Sequence, residues 1–502
     1  MEHWGSRLGA LLALIGGAIG LGNFLRFPFQ AAKWGGGAFL VPYGVALVVV
    51  GLPLVWAEIT LGRLGAQFQK QSAPTLLASL KGKKGWYVGL LSVYVSLGIG
   101  AYYAYLMGWT LGYAYHGIIG TFESKSLEEI VSFHAQFVRK EAWFFWIFSW
   151  IITAYILYRG LQGGVEKINL YGMPLLFLSA LAIAIGTVAL GETGRCPDCS
   201  SWAGIQYLYV PQWKALLQPA VWLAATGQVL FSIGVGFGMY PVYAASWKKG
   251  DIVKEGSTTV LANTFAEVVL GGLIVIPLVT AFLGLGAVQK RAGFSMGFEV
   301  MPYVLTEWGG RALVVIWYIL LFLTAITSLI AMGWVGVTWL AGVLGGSPQK
   351  WTWAIVGLEI VLGAPSIAGY EVGTLDLYDQ WLGSIFLVIA AMGHWYLFQR
   401  SRGWQVLVSE SYLPFPGLWH WILRWVTPIF LAALFVGSIV QPQDGDWIGA
   451  IKAISTGKEW PWAQEALPLW LSHSLKETWN QVGLLLLSVF AGLMLFLRQK
   501  RN

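Results

Sequence analysis

Stretches of about 20 apolar residues recur along the whole chain, and this repetition constrains the fold more than any other feature. A helix of about that length crosses the hydrocarbon core of a bilayer. Lipid offers no partners to free backbone N–H and C=O groups, so each stretch is expected to be an α-helix. The twelve predicted spans are 8–31, 38–61, 86–119, 142–158, 168–190, 220–246, 259–287, 312–344, 351–369, 380–398, 418–440 and 480–497. The sequence therefore predicts an all-α polytopic membrane protein.

The sequence leaves no room for a soluble domain between the predicted spans. Its longest gaps, near 120–141, 191–219 and 441–479, are well below a usual domain length. Only 11% of the 502 residues are charged, far fewer than in an average soluble protein. We therefore expect one transmembrane domain over residues 1–502, surrounded by lipid.

The basic residues predict how the chain is oriented. An even number of spans places both termini on one side, and cytoplasmic loops are enriched in Lys and Arg. The predicted inner set is Arg7, Arg63, Lys70, Lys81, Lys83, Lys84, Arg159, Lys167, Lys248, Lys249, Lys254, Lys350, Arg400, Arg402, Arg498, Lys500 and Arg501, whereas Lys290, Arg291, Lys452 and Lys458 fall outside. Both termini are thus expected in the cytoplasm, and the protein in the cell membrane. The net charge of +7 fits this topology and an attraction to anionic lipid rather than nucleic-acid binding.

Two predicted spans carry glycine clusters in corresponding positions of two possible five-helix halves. They are Gly16–Asn23 in the first span and Ser232–Gly238, followed by Pro241, in the sixth. Glycine permits non-helical backbone and proline removes a donor, so both segments can unwind near the membrane centre. Glycines in a membrane helix also serve close helix packing, which is the plainer explanation of either cluster alone. Together, the clusters favour a transporter with inverted repeats and a site at the midplane.

A long motif in the first two spans carries a family resemblance. It reads Gly20-Leu21-Gly22-Asn23-Phe24-Leu25-Arg26-Phe27-Pro28, then Gly35-Gly36-Gly37-Ala38-Phe39-Leu40-Val41-Pro42-Tyr43. Further agreement lies at Tyr102-Tyr103, Gly227 to Gly238, Asn263, Ala266-Glu267, Thr327-Ser328 and Asp376 to Trp381. The chain closely resembles the neurotransmitter:sodium symporter family, in its bacterial LeuT-type branch. The resemblance implies sodium-coupled amino-acid uptake by alternating access, with inverted repeats over 8–190 and 220–398 and two further helices over 418–497.

The resemblance implies two sodium sites and no organic cofactor. The first would use the Ala18 carbonyl with Asn23, Ser232 and Asn263, and the substrate carboxylate would complete it. The second would use the carbonyls of Gly16, Ile19 and Thr324 with the hydroxyls of Thr327 and Ser328. Oxygen ligands suit a hard cation such as Na⁺. Hydroxyls in membrane helices usually bond back to the preceding turn, and without the resemblance that would be the expected role of Thr327 and Ser328.

The resemblance also implies a mostly apolar substrate pocket. Its expected residues are Gly17, Ala18, Leu21, Gly22, Ile99, Tyr103, Phe231, Ser232, Gly234, Phe237, Ser328 and Met332. Gly20 stands where monoamine-carrying relatives have an acidic residue, which favours a neutral amino acid here. Gly17 and Gly234 replace larger residues of leucine-binding relatives, which would admit a bulkier, aromatic side chain unless Ile99 and Met332 refill the space.

The expected outer gate consists of Arg26 and Asp379 above Phe231, which acts as the lid. Glu267 stands where chloride-dependent relatives have serine, so its carboxylate is expected to replace chloride, with Tyr43 and Gln228 as neighbours and proton exchange left open. Glu58 is expected to be structural, beside Arg63. The family's inner gate pair would fall on Met1 and Gly342, which cannot form it, and Trp4 remains as a candidate plug. Gly164 and Pro174 match the family's spacing for unwinding of span five.

Several alternatives stay open. A membrane enzyme would need metal or haem ligands, but the six His residues make no ligand pair at helical spacing. A sensor on the same fold and a proton-driven carrier remain, as does a homodimer. Cys196 and Cys199 are expected to be a loop disulfide or free thiols, although a redox pair or half a metal site suits the same spacing.

Overall fold

The computed structural model describes residues 2–248, 250–290, 296–412, 417–440 and 446–456. Within these residues the chain is helical, and the only β-bridges, Gly36 with Pro211 and Glu192 with Ser200, are isolated. The main helices are α1 (Arg7–Ala18), α2 (Gly22–Lys33), α3 (Gly37–Ala66), α4 (Ala73–Ile118), α5 (Leu127–Lys140), α6 (Ala142–Tyr158), α7 (Leu161–Leu190), α8 (Ser201–Tyr209), α9 (Pro219–Ile233), α10 (Met239–Ala245), α11 (Ile252–Leu283), α12 (Met296–Leu344), α13 (Pro348–Ala368), α14 (Thr374–Arg400), α15 (Gly417–Val440) and α16 (Trp447–Ser455).

The helices agree with the predicted spans. Among the described residues, α3, α4, α7 and α11 to α15 are each long and apolar enough to cross a membrane. The pairs α1 with α2 and α5 with α6 meet the same test jointly, although they bend by 45° and 63°. The sixth predicted span corresponds to α9 and α10, and the twelfth, 480–497, lies outside the described residues. The all-α polytopic fold is thus confirmed.

Two of the helices are bent where glycine interrupts the helical dihedral angles. The backbone leaves the helical region at Lys81 and Gly82 in α4, and at Gly309 and Gly310 in α12. The predicted spans 86–119 and 312–344 begin just after these bends. The hydrophobic pattern therefore located the membrane-crossing parts of both helices.

Burial separates the centre of the bundle from its lipid-facing perimeter. The most apolar 18 residues of α4 are 94% buried, against 33% for the corresponding parts of α7, α13 and α15. The fully buried Trp109, Trp317 and Trp334 lie on α4 and α12, which pack side by side. These two helices form the buried centre of the bundle.

The two cysteines form a disulfide between Cys196 and Cys199, in the loop that joins α7 to α8. The neighbouring bridge between Glu192 and Ser200 closes the same loop. Of the alternatives that the spacing left open, the structure has the local disulfide.

Close packing of α3 against α10 predicts a position-specific loss of stability. A Cβ added at Gly62 would lie 2.4 Å from the carbonyl oxygen and 2.8 Å from the Cα of Pro241. Because backbone cannot move aside cheaply, Gly62→Ala should cost about 1–3 kcal/mol and lower the midpoint of thermal unfolding in detergent. Gly44, on the same helix, has open space around it, so Gly44→Ala is the matched control and should not lower the midpoint. Equal midpoints for the two variants would contradict this packing.

Candidate functional site

The first interruption separates α1 from α2. Ile19 has extended backbone angles (φ −76°, ψ 110°), so the helical hydrogen bonds stop there. The side chain of Asn23 compensates in part, because its Oδ1 accepts a hydrogen bond of 2.8 Å from the N–H of Gly20. The break predicted from the glycine cluster is therefore present and has a side-chain partner.

The second interruption separates α9 from α10. Gly234 and Gly236 have φ values of +78° and +92°, which L side chains rarely adopt, and this explains why the segment is rich in glycine. Its free backbone groups are taken up by neighbouring helices. The Gly236 N–H donates to Glu58 Oε1 at 2.7 Å, and the Ser96 hydroxyl donates to the carbonyl of Phe237 at 2.6 Å.

The position of Glu58 corrects one expectation. Its carboxylate lies 2.6 Å from His394 Nδ1 and supports Gly236, whereas Arg63 pairs with Glu410 at 2.6 Å. The expected neighbourhood of Glu58 and Arg63 was wrong because positions five apart on a helix point about 140° away from each other. The Glu58 carboxylate thus stabilises the backbone at the α9–α10 break. Its partner His394 lies far along the chain, on α14, so the sequence alone did not indicate this contact.

A cavity lies between the two interruptions. Its lining residues are Gly17, Ala18, Gly20, Gly22, Asn23, Ile99, Tyr103, Phe231, Ser232, Gly234, Phe237, Met239, Ser328 and Met332. All the residues expected to bind the substrate are among them except Leu21. The backbone N–H of Leu21 instead donates to the Tyr103 hydroxyl at 2.8 Å. The cavity is small, with a volume of about 40 Å³.

Met239 is a lining residue that the sequence reasoning missed. A Cβ on Gly17 would lie 2.9 Å from its Sδ, and a Cβ on Gly234 would lie 2.6 Å from its Cε. The side chain of Met239 therefore occupies the space that these two glycines leave, a role considered for Ile99 and Met332. No local sequence pattern marks Met239 as a lining residue. It reaches the cavity because the chain changes direction at the α9–α10 break.

A chain of hydrogen bonds joins the residues expected at the first sodium site. Asn23 Nδ2 donates to Asn263 Oδ1 at 2.8 Å, and Asn263 Nδ2 donates to Ser232 Oγ at 2.9 Å. Ser232 in turn donates to Glu267 Oε2 at 2.9 Å. Ala18, Asn23 and Ser232 also line the cavity, so the polar cluster and the cavity share one wall.

Glu267 is fully buried at the end of this chain. Its carboxylate accepts hydrogen bonds from Tyr43 and Gln228, both at 2.5 Å, besides the one from Ser232. Three donors around one carboxylate form a cradle for a negative charge. The neighbours expected from the sequence are the ones observed.

The residues expected at the second sodium site form two adjoining groups. The hydroxyl of Ser328 lies 3.3 Å from the carbonyl oxygen of Gly16 and 3.1 Å from that of Ile19, which joins α12 to α1. Thr327 donates to the carbonyls of Leu323 and Thr324, at 3.0 and 3.1 Å. The Thr327 hydroxyl therefore bonds back to its own helix, whereas Ser328 reaches across.

The expected outer gate lies over the cavity. The guanidinium of Arg26 is 4.3 Å from the ring centre of Phe231 and 3.7 Å from Asp379. Tyr102 also donates to Asp379, at 2.9 Å. Both gate side chains retain some exposure, 22% for Arg26 and 32% for Asp379. The gate side chains are thus in contact with one another, and Arg26 and Asp379 remain partly exposed to solvent.

The opposite side is closed by the N-terminal arm. Trp4 is buried and donates to the Tyr243 carbonyl at 3.0 Å, as a plug would. Glu166, on α7, accepts hydrogen bonds from the N–H groups of Gly5 and Ser6 and from the Ser6 hydroxyl. Sequence reasoning missed Glu166, although it lies two residues after Gly164. Met1, one of the two positions expected for the family's inner gate pair, lies outside the described residues.

The span that contains Gly164 and Pro174 is helical from end to end in this structure. It begins with a wider turn over Leu161–Glu166 and continues as an α-helix through Pro174. Unwinding of this segment remains a prediction about another conformation.

Two interrupted helices that enclose a central cavity, with a closure on either side, define the class of secondary transporters. The particular family follows from comparison with known sequences. The chain belongs to the sodium:neurotransmitter symporter family, whose model matches residues 1–128 and 122–472. It is therefore a multi-pass sodium-dependent transporter and not an enzyme.

Relatives cover most of the chain. An uncharacterised sodium-dependent transporter of Haemophilus influenzae is 26% identical over 87% of this chain and 98% of its own length. The sodium-dependent serotonin transporter of Drosophila melanogaster is 25% identical over 88% of this chain and 76% of its own. Among solved structures, MhsT in complex with L-phenylalanine is 28% identical and matches with a TM-score of 0.77, over 87% of this chain and 99% of that one.

The outer gate geometry predicts a change in access to the cavity. Asp379→Asn removes the charge that attracts Arg26, so the gate should open more often. A cysteine introduced at Ile99 should then react about two- to fivefold faster with an impermeant thiol reagent added outside, as ~0.4–1 kcal/mol of closing energy would give. Arg139→Gln breaks an exposed ion pair with Glu371 in which none of the gate residues takes part, and it should leave the rate unchanged. An unaltered rate in Asp379→Asn would exclude the gate.

Proposed function

We propose that this protein is a sodium-coupled symporter that carries a neutral amino acid with a hydrophobic or aromatic side chain by alternating access. The observation that carries the proposal is the shared wall of cavity and polar cluster, where Asn23 and Ser232 belong to both. An ion and a substrate bound there would touch the same groups. Each would then raise the affinity for the other, which is the thermodynamic requirement of symport.

The ends of the interrupted helices suit the charged groups of an amino acid. The N-terminal end of α2 borders the cavity at Gly22, and it favours a carboxylate because the positive end of the helix dipole lies there. The C-terminal ends of α1 and α9 favour an ammonium group for the opposite reason. The Tyr103 hydroxyl accepts from the Leu21 N–H and carries a proton of its own, which it would donate to that carboxylate.

The cavity lining supports a substrate without net charge. None of the lining residues is ionised. A Cβ on Gly20 would lie 2.8 Å from the Tyr103 hydroxyl and 3.0 Å from Ser328 Oγ, which leaves little room for an acidic side chain there. A zwitterion, whose charges are met by helix ends and ions, fits this lining.

The apolar part of the lining supports a large hydrophobic side chain. Phe231, Phe237, Ile99 and Met332 surround the cavity, and Met239 covers the two glycines. Methionine is flexible and fills irregular space, so its side chain can move aside for substrates of different size. The similarity to MhsT, solved with L-phenylalanine, supports an aromatic substrate.

We place one sodium ion at Ala18, Asn23, Ser232 and Asn263, and a second at Gly16, Ile19, Thr324, Thr327 and Ser328. Carbonyl, amide and hydroxyl oxygens are the ligands that a hard cation takes. The first ion would lie beside the substrate and the second between α1 and α12. We also propose repeats over 8–190 and 220–398, and cytoplasmic termini.

Transport itself tests the proposal. Purified protein in liposomes should accumulate a labelled aromatic or branched amino acid when sodium is outside, and should not do so when choline replaces it. Binding without accumulation would favour a sensor, and accumulation driven by a proton gradient without sodium would favour a proton-coupled carrier.

A variant of the first sodium site sharpens this test. Asn23→Ala removes the amide that joins Gly20 to Asn263, so sodium-stimulated uptake should be abolished. Thr153→Ala is the control, because it removes a buried hydroxyl that bonds within α6, and it should transport normally. Undiminished sodium-dependent uptake by Asn23→Ala would refute the first-site assignment.

The cradle around Glu267 predicts transport without chloride. The carboxylate supplies the negative charge near the first sodium site, so uptake should be equal in chloride and gluconate. Glu267→Ser removes the charge and leaves space for an anion, and its uptake should require chloride. Glu267→Gln removes the charge but keeps the volume, so chloride should restore it much less. Chloride-dependent uptake by the native protein would contradict this role.

A further inference from the structure

Asn169 has a buried amide oxygen without a partner. It lies on α7, its side chain is fully buried, and its Nδ2 donates to the Val165 carbonyl at 2.8 Å. Its Oδ1 accepts no hydrogen bond from any described residue. A buried acceptor that lacks a donor is unfavourable and rare in folded proteins, so it calls for a ligand.

The free oxygen faces Gly16 on α1. A Cβ added at Gly16 would lie 2.0 Å from Asn169 Oδ1, so the two residues approach this closely only because position 16 has no side chain. The carbonyl oxygens of Gly16 and Ile19 converge on the hydroxyl of Ser328. Asn169 therefore presents an unpartnered oxygen to Gly16, one of the residues proposed above for the second sodium ion.

The composition of this cluster favours a cation over another protein group. Gly16, Ile19 and Asn169 each present an oxygen that only accepts hydrogen bonds. The Ser328 hydroxyl has a single proton to share between the carbonyls of Gly16 and Ile19. A small hard cation satisfies several such oxygens at once, and Na⁺ is the ion that the family carries.

We propose that Asn169 is a ligand of the second sodium ion, contributed by α7, so that the ion joins three helices instead of two. This inference rests on the sodium-coupled function proposed above. Three residues before Asn169, on the same face of α7, Glu166 holds the N-terminal arm through Gly5 and Ser6. Sodium bound at Asn169 would thus hold α7 against α1 and favour the closed inner side.

Two substitutions of similar size test the proposal. Asn169→Asp keeps an oxygen ligand, and its sodium concentration for half-maximal uptake should stay within about threefold of the native value or fall. Asn169→Leu keeps the shape but removes the oxygen, and that concentration should rise about tenfold or more. Thr187→Val, which removes a buried hydroxyl on the same helix, should change nothing. Direct binding of radioactive sodium to the purified variants should follow the same order.

The outcomes separate this inference from the proposed function. Unchanged sodium affinity in Asn169→Leu, or equal losses in the Asp and Leu variants, would overturn the role of Asn169 while sodium-coupled transport stands. Sodium-independent uptake by the native protein would instead overturn the proposed function. If Asn169→Leu does not fold, Asn169→Ala replaces it, with the same direction of change expected and with thermal unfolding as the check on folding.

Discussion

Backbone polar groups cannot remain unpaired inside a bilayer, and this constraint governs the centre of the protein. Each of the two interrupted helices gives up several of its own hydrogen bonds. Side chains replace some of the lost bonds: Asn23 of the same span at the first break, and Glu58 and Ser96 of neighbouring helices at the second. The cavity between the two breaks has polar residues in its lining, such as Asn23 and Ser232, and none that is ionised.

The hydrogen-bond chain from Asn23 to Glu267 links the helices α2, α9 and α11 at the site. It begins at the break between α1 and α2, crosses α11 at Asn263, and reaches α9 at Ser232. A buried network of this kind is costly when one member is removed, because the remaining groups lose their partners. The network therefore fixes the relative position of the helices that meet at the cavity.

The two sides of the cavity are closed in different ways. The outer closure is a loose contact of Arg26 with Asp379 and the ring of Phe231, still partly exposed to water. The inner closure is an arm of backbone and side chains held by Glu166 and by the buried Trp4. A gate of exposed charges opens at small cost, whereas release of the arm requires several bonds to break together. The two closures therefore differ in the number of contacts that must break for each to open.

The sequence by itself determined the helical membrane fold, the two breaks and most of the cavity wall. These features depend on local rules: apolar length, the backbone freedom of glycine, and a long motif whose residue types are specific. Only the tertiary structure decided which distant side chains meet. Met239 contacts Gly17 because the chain changes direction before α10. His394 on α14 contacts Glu58, and Asn169 on α7 faces Gly16. Such contacts depend on how helices far apart in the chain pack, which no local pattern records.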